Sequence, residues 1–308
     1  MMSLTAPDLP SLLSLLASSF DGFKSKFAKI LPVLGVTGPS LVPLVFQPLP
    51  LGSISPSGWL KDQMQLSADG LAGHLHDFYN PVANSVWLGK GMEYSGLNEA
   101  LPYWFNGLVP LAYGLDDTRL KDQVHGTARY ILDHAWDDGW IGPEHVLNRN
   151  FWGRMPLFLG LTALSDADPR WEARVVPALL KFNTLMNSML KRNYTGYLHE
   201  GGYFVGSESD WGRVRHQEML LTLQWLYENH QADQGELLLE NMKMLHDAGL
   251  RWEDWYNEWA YFGQGMDQDL TTLDPHITEG ENFPFEHGVN VAQGRLASGE
   301  QSHEQGTY

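Results

Sequence analysis

Two groups of carboxylates in this sequence could do acid–base work. Asp137 and Asp138 stand just before an aromatic run at Trp140, and Glu279, Glu281 and Glu286 stand just before His287. Hydrolysis of a glycosidic bond with retention needs two such groups about 5 Å apart, one as nucleophile and one as acid and base. Spacing marks out no such pair, so a solvated loop remains the plainer reading of each group. Asp138 also suits a second task, accepting hydrogen bonds from ligand hydroxyls. Trp104, Trp140 and Trp152 are flat surfaces on which the apolar face of a sugar could pack, and Asn106, Asn150 and Arg154 lie near them in sequence to bind hydroxyls. Core packing competes as the account of each indole. It is the expectation for Trp59 and Trp225, which lie on apolar helical stripes. Asn290 follows His287 by three residues and shares its helical face, so both could act on one ligand, or Asn290 could cap a loop.

Other chemistries find less support. The sequence has no cysteine, which removes disulfides, thiol nucleophiles and thiolate metal sites within it. His74 and His76 form the one close histidine pair, and their spacing does not put both rings on one helical face. Gly201-Gly202 is not followed by the Lys-Ser or Lys-Thr of a phosphate loop, and no Gly-x-Ser-x-Gly elbow occurs.

Thirty-seven acidic against 20 basic residues give a formal charge of -17 over 308 residues. A chain this acidic is not expected to bind nucleic acid or an anionic membrane. The apolar run Leu12-Leu13-Ser14-Leu15-Leu16 is far too short to span a bilayer, and no Lys or Arg precedes it as in a signal peptide. The reading leans to the cytoplasm over secretion and leaves the compartment open. The sequon Asn193-Tyr194-Thr195 would matter only in a secreted chain.

These residues must be positioned by helices. Residues 1–45 read as a partly disordered leader rich in Ser, Leu and Pro. Ser55-Pro56 opens a helix expected to reach about Leu71. His74 to Gly96 lacks periodicity and is expected to be a long loop. Trp104, Leu108, Leu111, Ala112 and Leu115 share one helical face. Asp116-Asp117-Thr118 opens the next helix, which carries Leu120, Val124 and Ile131. The loop Asp137 to Arg149 leads to a helix near Trp152 to Leu164, and Asp168-Pro169 opens another with Val175, Leu179 and Met186 in register. Met219 to Tyr227 and Leu238 to Leu245 mark a further pair, ended by Gly249, and a weak last helix begins near Phe285. Strand signals are confined to Tyr197-Leu198 and Tyr203 to Val205. The fold class is therefore all-α. Antiparallel helix pairs, with short turns at one end and long aromatic loops at the other, are what an (α/α)6 six-hairpin toroid needs.

Several blocks carry a family resemblance. They are Pro48-Leu49-Pro50-Leu51-Gly52-Ser53-Ile54 with Gly58-Trp59-Leu60, the run Pro102 to Tyr113, Asp137 to Pro143, Phe151-Trp152-Gly153-Arg154, Leu223 to Tyr227, Trp252-Glu253-Asp254-Trp255, and His287 to Gly294. Over residues 46–294 the chain resembles the catalytic domain of the β-L-arabinofuranosidase type, glycoside hydrolase family 127, in its fungal-like branch. The resemblance implies an (α/α)6 barrel followed by β-sandwich material in a chain about twice this length. It implies retaining hydrolysis of a terminal arabinofuranoside or related sugar. It also implies a cysteine nucleophile on zinc, with further Cys and Glu ligands and a Glu acid/base, all downstream of the His287 block. His287 itself matches a histidine that lines the family's sugar pocket.

The match stops at Gly294, and residues 295–308 read as a polar tail. About eight helices are counted where six hairpins need twelve, so the toroid is expected to be partial and not to hydrolyse by the family mechanism as this chain. No cofactor is expected within it. Zinc is implied only for full-length members, and the expected partner is a carbohydrate. An unfinished ring would expose an apolar face, or cover it with a partner such as a second copy. Two rival readings stand beside this one. One is a non-catalytic carbohydrate-binding or scaffold toroid. The other is a metal-free enzyme resembling unsaturated uronyl hydrolases, which donate a proton from an Asp.

Overall fold

Local capping chemistry starts the outer helices where the sequence places them. The Asp117 side chain accepts from the Leu120 backbone N–H at 3.0 Å, and Asp116 takes a left-handed conformation (φ 55°) to make the turn before it. The Asp168 side chain likewise accepts from the Arg170 N–H at 3.2 Å and pairs with the Arg170 guanidinium at 2.6 Å. The computed structural model describes residues 41, 46, 48–92, 97–197, 211–250, 252 and 288–293. All of these belong to the larger of two units into which the chain divides, Met1–Ser40 and Leu41–Tyr308. His287, Glu279, Glu281, Glu286, the Tyr203 to Val205 signal and the 295–308 tail lie outside the described residues.

The described residues are helical, with one isolated bridge between Ser85 and Met92. The helices are α1 Gly58–Asp69, α2 Leu71–Phe78, α3 Asn80–Ala83, α4 Ala100–Gly114 and α5 Thr118–Asp133. There follow α6 Arg154–Ala167, α7 Glu172–Leu190, α8 Trp211–Val214, α9 His216–His230 and α10 Gly235–Asp247. Residues 288–293 are also helical. None is long and apolar enough to cross a membrane.

Two rows of helices follow from two kinds of surface. Helix α6 is buried nearly all round, as an interior helix must be, from Met155 through Phe158, Leu161 and Leu164. Helices α5 and α10 bury one stripe each, Leu120, Val124 and Ile131 on the first and Leu238, Met242 and Leu245 on the second. Accordingly α4 packs on α6 and α6 on α9, while α5, α7 and α10 return behind them. Gly160 permits the α4–α6 approach, because a Cβ there would lie 2.6 Å from Phe105 Cδ1 and 3.1 Å from the Asn106 Cα. A chain of buried amides sets the register between α7 and α10. Asn187 Nδ2 donates to Asn241 Oδ1 at 2.8 Å, and Asn241 Nδ2 donates to Asn183 Oδ1 at 2.7 Å. Any slip would strand these groups, at about 1–3 kcal/mol for each buried polar group left unpaired.

The segment after α1 departs from expectation. The first helix stops at Asp69, and the stretch expected to be a long loop contains α2, α3 and a 3-10 turn at Val86–Leu88. These pieces are too short for a periodic pattern to register. The join of α1 and α2 is held from a distance: the Arg119 guanidinium donates to the carbonyls of Gly73 and Ala68, both at 2.7 Å. Trp59, expected in the core, is 76% exposed, because α1 buries Ala68 and turns Trp59 and Leu66 outward.

Candidate functional site

Helices α4, α6 and α9 are each preceded by a long segment and followed by a short turn, so their N-terminal ends meet at the loop end of the fold. Each sequence supplies polar or aromatic groups at that point. Tyr103 lies in the first turn of α4, Trp152 just ahead of α6, Arg215 just ahead of α9 and Glu218 in its first turn. Arg215 ties them together. Its Nη1 donates to the Tyr103 hydroxyl at 2.6 Å, and its Nε donates to Asn290 Oδ1 at 2.6 Å. Its guanidinium lies 5.0 Å from the Trp152 ring centre and 5.2 Å from that of Trp211, close enough for cation–π attraction. Trp152 donates its indole N–H to Glu99 Oε2 at 2.6 Å, and Gln293 Nε2 donates to Glu218 Oε1 at 2.5 Å. The positive ends of three helix dipoles face this place, where they favour the two carboxylates Glu99 and Glu218.

Burial dominates the electrostatics. It raises the Glu218 pKa above the usual carboxylate range, against the pull of Gln293, Arg215 and Tyr103, and Glu99 adds to the rise. Burial, followed by the Glu218 charge, pushes Tyr103 far above the ordinary phenol range, so Tyr103 stays a neutral hydroxyl. Glu218 Oε2 and Gln293 Oε1 are both buried and find no hydrogen-bond partner. The arrangement gathers two indole rings, one delocalised cation and several buried polar groups. Aromatic surface with a few convergent polar groups is the composition of many small-molecule sites.

The structure divides the residues singled out in the sequence. Trp152 and Asn290 join this cluster. Asn106 sits half-exposed three residues beyond Tyr103 on α4. Trp104 is buried against α2, where it donates to the Ala72 carbonyl at 2.8 Å and its ring stacks on His76 at 5.6 Å. Asp138, Trp140, Asn150 and Arg154 belong to a second network, in which Trp140 and Arg154 are buried, Asn150 is half-buried and the Asp138 side chain is 44% exposed. The Arg154 guanidinium is fully buried, donating to the Ile141 carbonyl at 2.8 Å, to the Asn150 carbonyl at 2.5 Å and to the Glu144 carboxylate. It also lies 4.2 Å from the ring centre of Trp140, itself fully buried and 5.7 Å from Phe182. The Arg149 hydrogen bond holds the Asp138 carboxyl below its ordinary range, and Asp138 also accepts from the Trp140 backbone N–H. The Asn150 side chain accepts from the Trp152 N–H at 3.2 Å. Glu144 in turn accepts from Asn98 at 2.8 Å, so the network braces the residue beside Glu99.

Sequence reasoning missed Tyr103, Glu99, Trp211, Arg215 and Glu218. A signal for two of them existed. Arg215 and Glu218 are charges three apart at the start of a helix that carries no further charge until Glu228. Charges opening so apolar a helix are buried with it, and buried charges need partners.

Among the described residues no three or more His, Asp or Glu side chains gather as a metal site. With no cysteine in the sequence, its residues do not fit the zinc–thiolate centre that the resemblance implies. Elsewhere, an open groove of 840 Å³ runs between α2 and α5 past His76, Lys90, Asp122 and Tyr130. Its charges are mixed, and it lacks the convergence of buried polar groups seen at the helix ends. Comparison with protein-family models, curated proteins and solved structures finds no match to this chain.

Proposed function

We propose that this chain carries the sugar-binding face of an α/α toroid of the β-L-arabinofuranosidase type, with its cleft at the N-terminal ends of α4, α6 and α9. The observation that carries this reading is the Tyr103–Arg215–Glu218–Asn290 cluster flanked by the Trp152 and Trp211 rings. The two rows of alternating helices support the toroid, since in a six-hairpin ring the inner helices run parallel and open their long loops on one rim. The ligand is a neutral furanoside whose apolar face rests on indole and whose hydroxyls meet the polar cluster. The outward-facing Trp59, Leu66, Leu71 and Phe78 of α1 and α2 support an apolar face that a partner covers, a second copy being the simplest.

The test is a titration of the whole chain with methyl β-L-arabinofuranoside, followed by tryptophan fluorescence, beside a hydrolysis assay on an aryl β-L-arabinofuranoside. Saturable binding that Trp152→Ala abolishes supports the reading. Turnover separates an enzyme from a binding domain. Absence of binding by any neutral glycoside, with turnover of an unsaturated uronide in chelator, would put the metal-free uronide reading in its place.

A further inference from the structure

We propose that the groove between α2 and α5 is a second carbohydrate site, which holds a length of neutral oligosaccharide outside the cleft. The proposal rests on the sugar-binding reading above for the class of ligand alone.

The groove has a volume of 840 Å³, within the range of small-molecule sites, and it is open, so a ligand enters without displacing protein groups. One face of α5 forms its floor, where Arg119, Asp122, Gly126 and Tyr130 recur three or four residues apart. From Arg119 to Tyr130 the helix rises about 17 Å, longer than a single sugar ring. His76 in the last turn of α2 and Leu88 of the 3-10 turn make the walls. Gly126 separates this groove from an ordinary gap between helices. It sits inside an unbroken helix, where glycine costs stability relative to alanine. Neither a positive φ nor close packing demands it, because a Cβ there would meet nothing within 4 Å. Its effect is to keep the floor of the groove clear.

The lining selects the ligand. Its cations are tied to the protein: the Arg119 guanidinium donates to the Gly73 and Ala68 carbonyls, and the Lys90 ammonium donates to the Ala83 carbonyl at 2.5 Å. Asp77 is paired with His74 at 2.7 Å. The Asp122 carboxylate is exposed and accepts no hydrogen bond among the described residues, although its charge reaches His125. The Thr127 and Tyr130 hydroxyls make none there either. The uncommitted groups are thus a carboxylate and hydroxyls, which suit a ligand rich in O–H donors and repel an anion. Two flat rings complete the lining, and each is already backed by a neighbour. His76 stacks on Trp104 at 5.6 Å and Tyr130 on His134 at 4.0 Å. Rings held in place beside hydroxyl-binding groups suit the apolar face of a sugar.

The test is calorimetric titration of the whole chain with arabinohexaose while methyl β-L-arabinofuranoside saturates the cleft. Oligosaccharide binding is expected to persist under that saturation and to be lost in Gly126→Leu, whose side chain fills the groove. It is expected to weaken about tenfold in Asp122→Leu, the factor for one lost hydrogen bond. Gly126→Leu should melt no lower than wild type, since its side chain enters open space and leucine is the better helix former. If it does melt lower, Asp122→Leu, a change at an exposed position, decides alone. Cleft binding of the methyl glycoside should be the same in wild type and both variants. Oligosaccharide binding that both variants leave unchanged, or that the methyl glycoside competes away, would overturn the groove site and leave the cleft standing. So would groove-dependent binding of spermidine with no binding of the oligosaccharide. Groove-dependent binding of arabinohexaose by a chain that does not bind the methyl glycoside would support the groove and remove the cleft. Binding of neither sugar would overturn both.

Discussion

Replacing Glu144 by Gln should destabilise this protein far more than an amide-for-carboxylate exchange does on a surface. Glu144 is the carboxylate partner of Arg154, and both side chains are buried. Burial, with a smaller contribution from the Arg149 charge, lowers the Arg154 pKa, and the Glu144 charge and hydrogen bond are what oppose that effect. Gln preserves shape and one acceptor but leaves the guanidinium charge uncompensated, at about 3–5 kcal/mol. Arg154 keeps its bonds to the Ile141 and Asn150 carbonyls, which places the expected loss near the lower end, about 3 kcal/mol. The pair Glu144→Gln with Arg154→Met should cost less than the two single changes added together, because neither charge is then stranded. Urea unfolding followed by tryptophan fluorescence reads this as a lower midpoint with an unchanged slope. A Glu144→Gln protein within about 1 kcal/mol of wild type would refute the brace. If sugar affinity fell while stability held, Arg154 would belong to the ligand.

Three further outcomes follow from the packing. His216 is buried, and burial holds its pKa down to about 4, so it is neutral when folded and charged when unfolded below about pH 6.5. Its contribution is intact above pH 6.5 and is lost as pH falls towards 4, about 3 kcal/mol in all; chemical denaturation across that range should show the loss, and His216→Gln should flatten it. Gly160→Val should overpack the α4–α6 contact against Phe105 and the Asn106 backbone, lowering stability by about 1–3 kcal/mol in the same urea assay, and a neutral result would mean that the helices are not so close. Trp59→Ser should change monomer stability by less than about 0.5 kcal/mol while lowering any self-association seen by sedimentation, whereas a loss of several kcal/mol would return Trp59 to the core.

Much of the fold was legible because its rules are local. The Asp117 and Asp168 caps, the apolar stripes of α5 and α10 and the continuous burial of α6 each follow from residues within a few turns of one another. Helix α2 was not legible, since Arg119, some 50 residues away in sequence, holds the Ala68 and Gly73 carbonyls on either side of its start. The site was half-legible for a similar reason. Trp140 and Trp152 have the same surroundings in sequence, rich in aromatic residues and loop signals. What separates them is that the Trp152 N–H finds Glu99 and its ring finds Arg215, while Trp140 lies between two arginines and Phe182. Arg154 looked like a ligand-binding guanidinium because its type and place fit, but only the folded loop shows three protein acceptors converging on it.

The most direct test follows the indole N–H resonances of the whole chain, labelled with nitrogen-15 and assigned by single Trp→Phe changes, during titration with methyl β-L-arabinofuranoside. The account predicts saturable shifts at Trp152 and Trp211, whose rings flank Arg215, and none at Trp140, buried in the brace. Shifts at Trp140 or Trp104 with Trp152 and Trp211 unmoved, or no shifts at all, would contradict it.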